Sequence, residues 1–192
     1  MTVSVGVLQS GDIQFEPELP ASKQQAIDNL AMGTLNKIWM IFSYAFWDTD
    51  KDTIGYVSAE KGQYTEWYYF EQLSQGNVLL CFNGGEFGES SEGKSDQQLT
   101  DEAMAVLKTI YGNDIPDPSD VLVSRWHLDP YARGAYAYLK PGAQFTVRED
   151  YRSPVIDRLF FAGEATSSDY PALTEGAVRT GRQAANEIIN LD

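Results

Sequence analysis

The chain has 192 residues, 43% of them hydrophobic, and could therefore bury one large core or two small ones. Its formal net charge of -14 and its pI near 4.3 argue against a nucleic-acid surface, which needs a clustered basic face, and favour at most a cationic partner. The single Cys81 excludes an intrachain disulfide, and the single His127 implies no metal site. Because no stretch could span a bilayer and no signal-peptide pattern follows Met1, we expect a cytoplasmic protein without a membrane partner.

The predicted elements mix helices and strands, which gives a mixed α/β class. In chain order, "TVSVGVL" predicts a strand within residues 1–9, "ASKQQAIDNLAM" a helix and "GTLNKIWMIF" a strand. "WYYFEQLSQGNVLLCF" is typical of a hairpin, and "DQQLTDEAMAVLKTIYG" of an amphipathic helix ended by a glycine. The acidic run from Glu86 to Glu102 predicts a solvated loop leading into that helix. "VLVSRW" and "GAYAYL" predict two more strands, and "RLFFAG" a buried strand before a last helix.

This last strand and helix give the first chemical argument. Glu164 would end the strand, where a carboxylate can accept hydrogen bonds from ribose-type hydroxyls, and the N–H groups of the helix would favour negative charge. From Glu175 the helical period predicts a stripe of mostly small residues: Ala177, Gly181, Ala184, Ala185 and Ile188. The pattern fits a ligand site and, equally, a helix packed tightly on its sheet with Glu164 as a satisfied loop carboxylate.

Residue identity favours the ligand site. "LFFAGEATSSDYPALTEGAVRTGRQAANEI" resembles the carboxy-terminal flavin motif of the flavin-containing amine oxidases, the monoamine and polyamine oxidases and histone lysine demethylases. "SRWHLDPYARGAYAYLKPG" and "LPASKQQAIDNLAMGTLNKIWMIF" are similar to its flavin-facing aromatic segment and its lysine-bearing segment. The resemblance implies the carboxy-terminal part of a GR2-type FAD-binding fold (residues 1–9 and 124–192) and a substrate-binding domain (10–123) with a mixed sheet flanked by helices.

Lys37 is the first residue to which the resemblance gives a role. Alternation along "GTLNKIWMIF" places it in an otherwise apolar row of side chains, where an ammonium group needs a reason. The resemblance implies that Lys37 holds a water against flavin N5. The alternative is a lysine at a strand end whose ammonium reaches solvent.

Tyr136 matches one wall of the aromatic cage that in this family directs the substrate amine toward the flavin. Leu173 stands where many relatives carry the second tyrosine, so a complete two-tyrosine cage is in doubt, and Leu173 is predicted to contact both substrate and cofactor. Tyrosines on a half-buried strand are also common without such a role. Ala135 replaces the cysteine that binds flavin covalently in some members, so we expect noncovalent FAD.

The resemblance also implies further contacts with FAD. Trp126 and Tyr131 would line the isoalloxazine ring, although either could equally be core packing. The other predicted cofactor contacts are Gly163, Glu164, Ala172, Leu173 and Thr174.

The G-x-G-x-x-G unit that receives the FAD pyrophosphate is absent from the sequence, since "NGGEFGES" has the wrong spacing. The chain is therefore predicted to be the carboxy-terminal portion of an amine oxidase that needs an amino-terminal half. It would oxidise an amine, with a polyamine favoured, to an imine and reduce O2 to hydrogen peroxide. The alternatives are a non-catalytic, self-associating binding module of the same fold and a related FAD oxidoreductase, against which Lys37 and Tyr136 argue.

Overall fold

The computed structural model describes residues 1–69 and 76–191. The chain divides into two compact units, one formed by Met1–Gly33 with Leu128–Asp192 and the other by Thr34–His127. We refer to them as the split unit and the central unit. This division falls at different residues from the predicted ranges 1–9, 10–123 and 124–192, whose roles in flavin and substrate binding stay predictions. Within the described ranges, none of the helices has the length and apolar character that crossing a membrane requires.

The central unit is an antiparallel sheet with two helices. The strand order is β3-β4-β5-β2-β6. Its elements are β2 (Leu35–Phe42), β3 (Thr53–Gly55), β4 (Glu66–Tyr69), β5 (Asn77–Gly84), α3 (Gly85–Ser91), α4 (Asp96–Tyr111) and β6 (Asp120–Val123). The predicted hairpin is present as the antiparallel pair β4 and β5, while Ser74 and Gln75 of its proposed turn, "SQGN", lie outside the described residues.

Alternation along β2 separates a buried face from a more open one. Ile38, Met40 and Phe42 are at most 3% exposed and belong to the core of this unit, together with Trp67 of β4. Lys37 lies on the other face, opposite Phe82 of β5 in the antiparallel register. The predicted alternation of this strand is confirmed, and it assigns Lys37 to the open side of the sheet.

The helix α4 has both ends specified by its sequence. Ser95 accepts a hydrogen bond from Gln98 N, and the Gln98 side chain accepts one from Ser95 N, which is a capping box. Gly112 follows the last turn with φ of 90°, a conformation that favours glycine. The predicted apolar face is confirmed, because Leu99, Ala103 and Leu107 are at most 2% exposed.

The split unit contains only a short ladder of strands. Its elements are α1 (Val5–Gln9), α2 (Ala21–Asp28), β1 (Leu30–Gly33), β7 (Tyr136–Leu139), α5 (Val147–Arg152), a 3-10 turn (Glu164–Thr166) and α6 (Thr174–Ile189). β1 pairs antiparallel with β7. Val5, Ile27, Leu30 and Phe161 are at most 1% exposed and form part of the core of this unit.

Three predicted elements differ in the structure. Residues 1–9 hold the helix α1, because Ser4 caps it by accepting from Val7 N at 3.2 Å. "RLFFAG" contains the buried Phe160 and Phe161 but is not a strand. Its backbone pairs in an isolated bridge between Leu159 and Val155 and with Met1, at the Phe160 oxygen and the Ala162 nitrogen. A strand needs a longer ladder than these separate contacts provide. The acidic run, predicted as a solvated loop, contains the helix α3. Glu92, the residue that follows this helix, is buried, with 4% of its surface exposed.

Candidate functional site

Lys37 is fixed through its backbone, and its ammonium lies over an aromatic ring. Its N–H donates to Ser124 Oγ at 2.8 Å, and its carbonyl accepts from Ser124 N at 2.9 Å. The Nζ atom lies 5.5 Å from the centre of the Phe82 ring. In the described part of the chain, no carboxylate is within ion-pairing distance of Lys37. The ammonium therefore keeps its hydrogen-bonding capacity for a water or a ligand.

Trp126 is held beside this strand by a buried polar network. The backbone N–H of Trp126 donates to Asn36 Oδ1 at 3.0 Å, and Asn36 Nδ2 donates to Glu92 Oε1 at 2.6 Å. The same Glu92 oxygen accepts from His127 N at 2.9 Å. Trp126 is 39% exposed, so it is not fully packed against the protein. The central unit thus brings together two predicted site residues, Lys37 and Trp126.

The sequence did not point to Asn36 or Glu92. A signal for Asn36 was available, because β2 alternation places it on the buried face between Leu35 and Lys37. Glu92 gave no such signal, because it stands in a run of acidic and polar residues typical of a solvated segment. Its partners come from two distant segments, at Asn36 and His127.

In the split unit, β7 presents tyrosines on one side and alanine on the other. Tyr136 and Tyr138 are 37% and 45% exposed, while Ala137 between them is 2% exposed. Tyr131 is 89% exposed, and its N–H donates to Asp129 Oδ1 at 2.8 Å. Core packing, one of the two interpretations of Tyr131, is therefore wrong. These aromatic rings are available for a planar ligand.

Glu164 connects β7 to the start of α6. One carboxylate oxygen accepts from Ala137 N at 2.8 Å, and the other accepts from Ala172 N at 2.9 Å. Gly163 before it has φ of 141°, a left-handed value that favours glycine, and its N–H donates to Thr180 Oγ1 at 3.1 Å. Glu164 is thus the satisfied loop carboxylate that the sequence left as one alternative, although each oxygen keeps a second lone pair for a ligand.

The N-terminus of α6 has no side-chain cap. The helix begins at Thr174, and the residue before it is Leu173, which is 53% exposed and cannot accept a hydrogen bond through its side chain. Glu175 in the first turn pairs with Arg179 of the next turn. The free N–H groups of this turn favour a negatively charged group.

The small-residue stripe is displaced from its predicted face. Gly176 and Thr180 are the buried residues of α6, whereas the predicted Ile188 is 50% exposed. A Cβ at Gly176 would lie 2.1 Å from the Tyr170 oxygen, so the loop before the helix selects this face. Together, exposed aromatic rings and an uncapped helix terminus suit an aromatic ligand that carries or develops negative charge.

Curated relatives share this sequence over nearly its whole length. The chain is 38% identical over 192 residues to Lysine-specific histone demethylase 1 homolog 1 of Oryza sativa subsp. japonica, covering 96% of this chain and 23% of that protein. It is 36% identical over 208 residues to a possible lysine-specific histone demethylase 1 of Drosophila melanogaster, covering 97% of this chain and 23% of that protein. The chain therefore spans about a quarter of the length of the curated relatives it matches.

Solved structures share the fold. Putrescine oxidase bound to putrescine has a TM-score of 0.81 and 24% identity, covering 99% of this chain and 42% of that one. Cyclohexylamine oxidase from Brevibacterium oxydans has a TM-score of 0.79 and 23% identity, covering 97% and 42%. At these identities the likeness concerns the mixed α/β fold alone. The sequence profile described as flavin containing amine oxidoreductase matches residues 1–189, and the chain belongs to this family of oxidoreductases.

Proposed function

We propose that this chain supplies the amine-facing and flavin-facing part of an FAD-dependent amine oxidase. The observation that carries the proposal is Lys37, an ammonium on the open face of β2 that lies over Phe82 and has no ion-pair partner among the residues described. An ammonium without an ion-pair partner on this open face has donors free for a water or a ligand. Membership of a family of flavin-containing amine oxidoreductases supplies the reaction class.

The residues present fit a noncovalent FAD. The uncapped first turn of α6, at Thr174, offers N–H groups to the pyrimidine end of a flavin ring, and the exposed Tyr131 offers a face for its planar surface. Gly163 has open space where a Cβ would stand, so the backbone there can approach a ligand closely. Ala135 has no thiol with which to form a covalent bond to the ring. FAD, when bound, would accept the hydride from the amine α-carbon.

Each side chain then has a distinct task. Tyr136, 37% exposed on β7, would orient the neutral amine by its ring face. Lys37 would hold a water by its ammonium, as the family resemblance implies. The α6 terminus would stabilise negative charge that develops beside it during the reaction. The acceptor for reoxidation would be O2, with release of hydrogen peroxide.

The substrate we favour is an amine that carries additional positive charge, such as a polyamine. The net charge of -14 attracts cations over a distance and raises their local concentration. A second candidate is an N-methylated lysine side chain. It is favoured by the 36–38% identity to relatives named as histone demethylases and by Leu173, because demethylase-like members also lack an aromatic residue at that position.

A flavin-binding experiment tests the proposal. The chain would be mixed with FAD, alone and together with the segment that precedes the matched region in the Oryza sativa relative, which would serve as the amino-terminal half. We expect flavin absorbance to stay with the protein only in the mixture. Anaerobic addition of putrescine, spermidine or a dimethyl-lysine peptide should then bleach the flavin. Retained flavin that none of these amines reduces, or no retention in either sample, would contradict the proposal.

The same samples separate the non-catalytic alternative. A self-associating binding module would have a solution mass of two or more chains and would not bind FAD. The proposed enzyme part would bind flavin when the amino-terminal half is present. The proposed cytoplasmic location is independent of this result.

A further inference from the structure

Arg148 is a buried cation whose contacts are directed at the backbone around the proposed site. It lies in α5 and is 3% exposed. Its Nη1 donates to the Ala165 carbonyl at 2.9 Å, and its Nη2 lies 3.5 Å from the Ala137 carbonyl. In the part of the chain that the structure describes, its Nε has no acceptor. The two backbone carbonyls are therefore its fixed partners.

Both carbonyls adjoin residues of the proposed site. Ala137 stands between Tyr136 and Tyr138 of β7, and Ala165 directly follows Glu164. The N–H of the same Ala137 donates to Glu164 at 2.8 Å. Residue 137 is thus bound on its carbonyl side by a guanidinium and on its amide side by a carboxylate, groups of opposite charge.

The second oxygen of Glu164 extends this arrangement to α6. It accepts from Ala172 N at 2.9 Å, one residue before Leu173. Ala172 has φ of 61°, an uncommon conformation for a residue with a Cβ, so the loop depends on such contacts. A displacement of Glu164 would therefore move both β7 and the residue that precedes the helix terminus.

Burial of the Arg148 guanidinium carries a free-energy cost of desolvation. Desolvation lowers the pKa of the Arg148 guanidinium, and the Glu164 carboxylate opposes that shift. The guanidinium nevertheless stays protonated, because its ordinary pKa is far above neutrality. An apolar side chain of similar length could fill this space without the desolvation cost, so the charge serves something other than packing.

We propose that Arg148 is a positioning residue, which together with Glu164 clamps the backbone at Ala137 and so fixes the Tyr136 ring relative to Leu173 and the start of α6. Its effect on catalysis rests on the proposed function, whereas the clamp itself is a property of the split unit. Neither residue needs to touch the substrate for this role. The ligand whose binding depends on this positioning is the amine held against Tyr136.

Amide hydrogen exchange of the 192-residue chain, followed by NMR, tests the clamp without any activity. Arg148→Met should accelerate exchange at Ala137 and Ala172 about tenfold, the effect of losing one hydrogen bond to a charged group. Arg148→Lys should restore part of the protection, because an ammonium can still donate to one carbonyl. Arg152→Met is the matched control, since Arg152 lies in the same helix and pairs with Glu187 instead.

The clamp would be overturned if the Ala137 amide of Arg148→Met exchanged at the wild-type rate. It would also be overturned if Arg152→Met accelerated exchange at this amide as much as Arg148→Met does. If Arg148→Met does not fold, Arg148→Lys and Glu164→Gln decide the question by the same amides. In the flavin-loaded assembly, Arg148→Met should lower kcat/KM for the amine about tenfold, measured with FAD at saturation. Accelerated exchange with unchanged kcat/KM would overturn the positioning role. A wild-type assembly that oxidises no amine would refute the proposed function, while the exchange data would still decide the clamp.

Discussion

In the central unit, Thr34–His127, a five-stranded sheet pairs long stretches of backbone, and the core beneath it is apolar and aromatic. In the split unit, β1 and β7 pair over four residues each. Its remaining segments are loops, three short helices and the longer α6, and a strand ladder does not bind the carbonyls at the helix ends. The backbone of the split unit therefore needs other donors.

Side chains provide those donors, and two of them, Lys23 and Arg148, are buried. Lys23, 2% exposed, donates to the carbonyls of Asp150, Tyr151 and Ser153 at 2.6–2.7 Å, at the end of α5. Arg148 binds two more carbonyls, and Gln9 Nε2 binds those of Ile27 and Leu30, each at 2.8 Å. The difference teaches that in the split unit, where the strand ladder is short, buried cations satisfy backbone carbonyls that would otherwise be unpaired.

The largest effect is expected from the apolar core of the central unit. Trp67→Ala should lower the free energy of unfolding by about 3–5 kcal/mol, because the 0% exposed ring leaves a cavity and its N–H bond to the Tyr64 carbonyl is lost. Urea unfolding followed by circular dichroism measures the change. Leu122→Ala is the control, since Leu122 is 68% exposed. Equal losses in the two variants would contradict the core that we describe.

The next effect concerns chemistry on the open face of the same sheet. In the flavin-loaded assembly, Lys37→Met should slow flavin reduction or reoxidation about 100-fold, a typical contribution of a positioned proton-handling group, without loss of FAD. Stopped-flow absorbance measures both half-reactions. Lys51→Met is the matched control, because Lys51 is an exposed lysine of the same unit. Unchanged rates in Lys37→Met would refute its proposed role.

A smaller effect tests the buried cations of the split unit. Lys23→Met should cost about 2 kcal/mol at pH 7, because three carbonyls lose a charged donor. Lys140→Met is the control: Lys140 also donates to a carbonyl at a helix end, that of Asp28, but from an exposed position. A loss in Lys140→Met as large as that in Lys23→Met would show that burial is irrelevant.

The pH dependence of the Lys23 variant sharpens this test. Desolvation lowers the pKa of Lys23 to about 8 from an ordinary 10.5, while Asp150 opposes and Arg152 supports the shift. Below pH 8 both the folded and the unfolded states are protonated, so the Lys23 contribution is constant. Between about pH 8 and 10.5 the unfolded state binds more protons, so wild-type stability should rise relative to Lys23→Met. The slope should not exceed about 1.4 kcal/mol per pH unit, and a falling difference would be inconsistent with a lowered pKa.

The smallest effect is a local one in the central unit. Ser95→Ala should destabilise the protein by about 1 kcal/mol, because the α4 capping box loses its acceptor for Gln98 N. Thermal unfolding measures the shift. Ser90→Ala, which removes an exposed hydroxyl bonded to the Phe87 carbonyl, is expected to change the midpoint less. The opposite ranking would argue that the cap does not stabilise α4.

Local sequence signals were sufficient for several elements. The helix α4 carried its own period and terminal glycine, and β2 carried its alternation, so both elements were predicted, whereas the alternation did not say which face of β2 is buried. Residues 1–9 also alternate, yet they form α1, because alternation predicts a strand only where a neighbouring strand exists to pair with it. The same reason explains why "RLFFAG" does not belong to a sheet, although Phe160 and Phe161 are buried.

The sequence by itself determined the family, through motifs whose identity and order cover residues 1–189, and the elements whose signals lie within one turn or one strand. Only the tertiary structure decided which polar groups are buried and what they bind. Glu92 meets Asn36 and His127, Glu164 meets Ala137 and Ala172, and Arg148 meets Ala137 and Ala165. The physical reason is that such a charged side chain is held where polar groups from distant segments converge on it, and no local pattern of residues encodes that convergence.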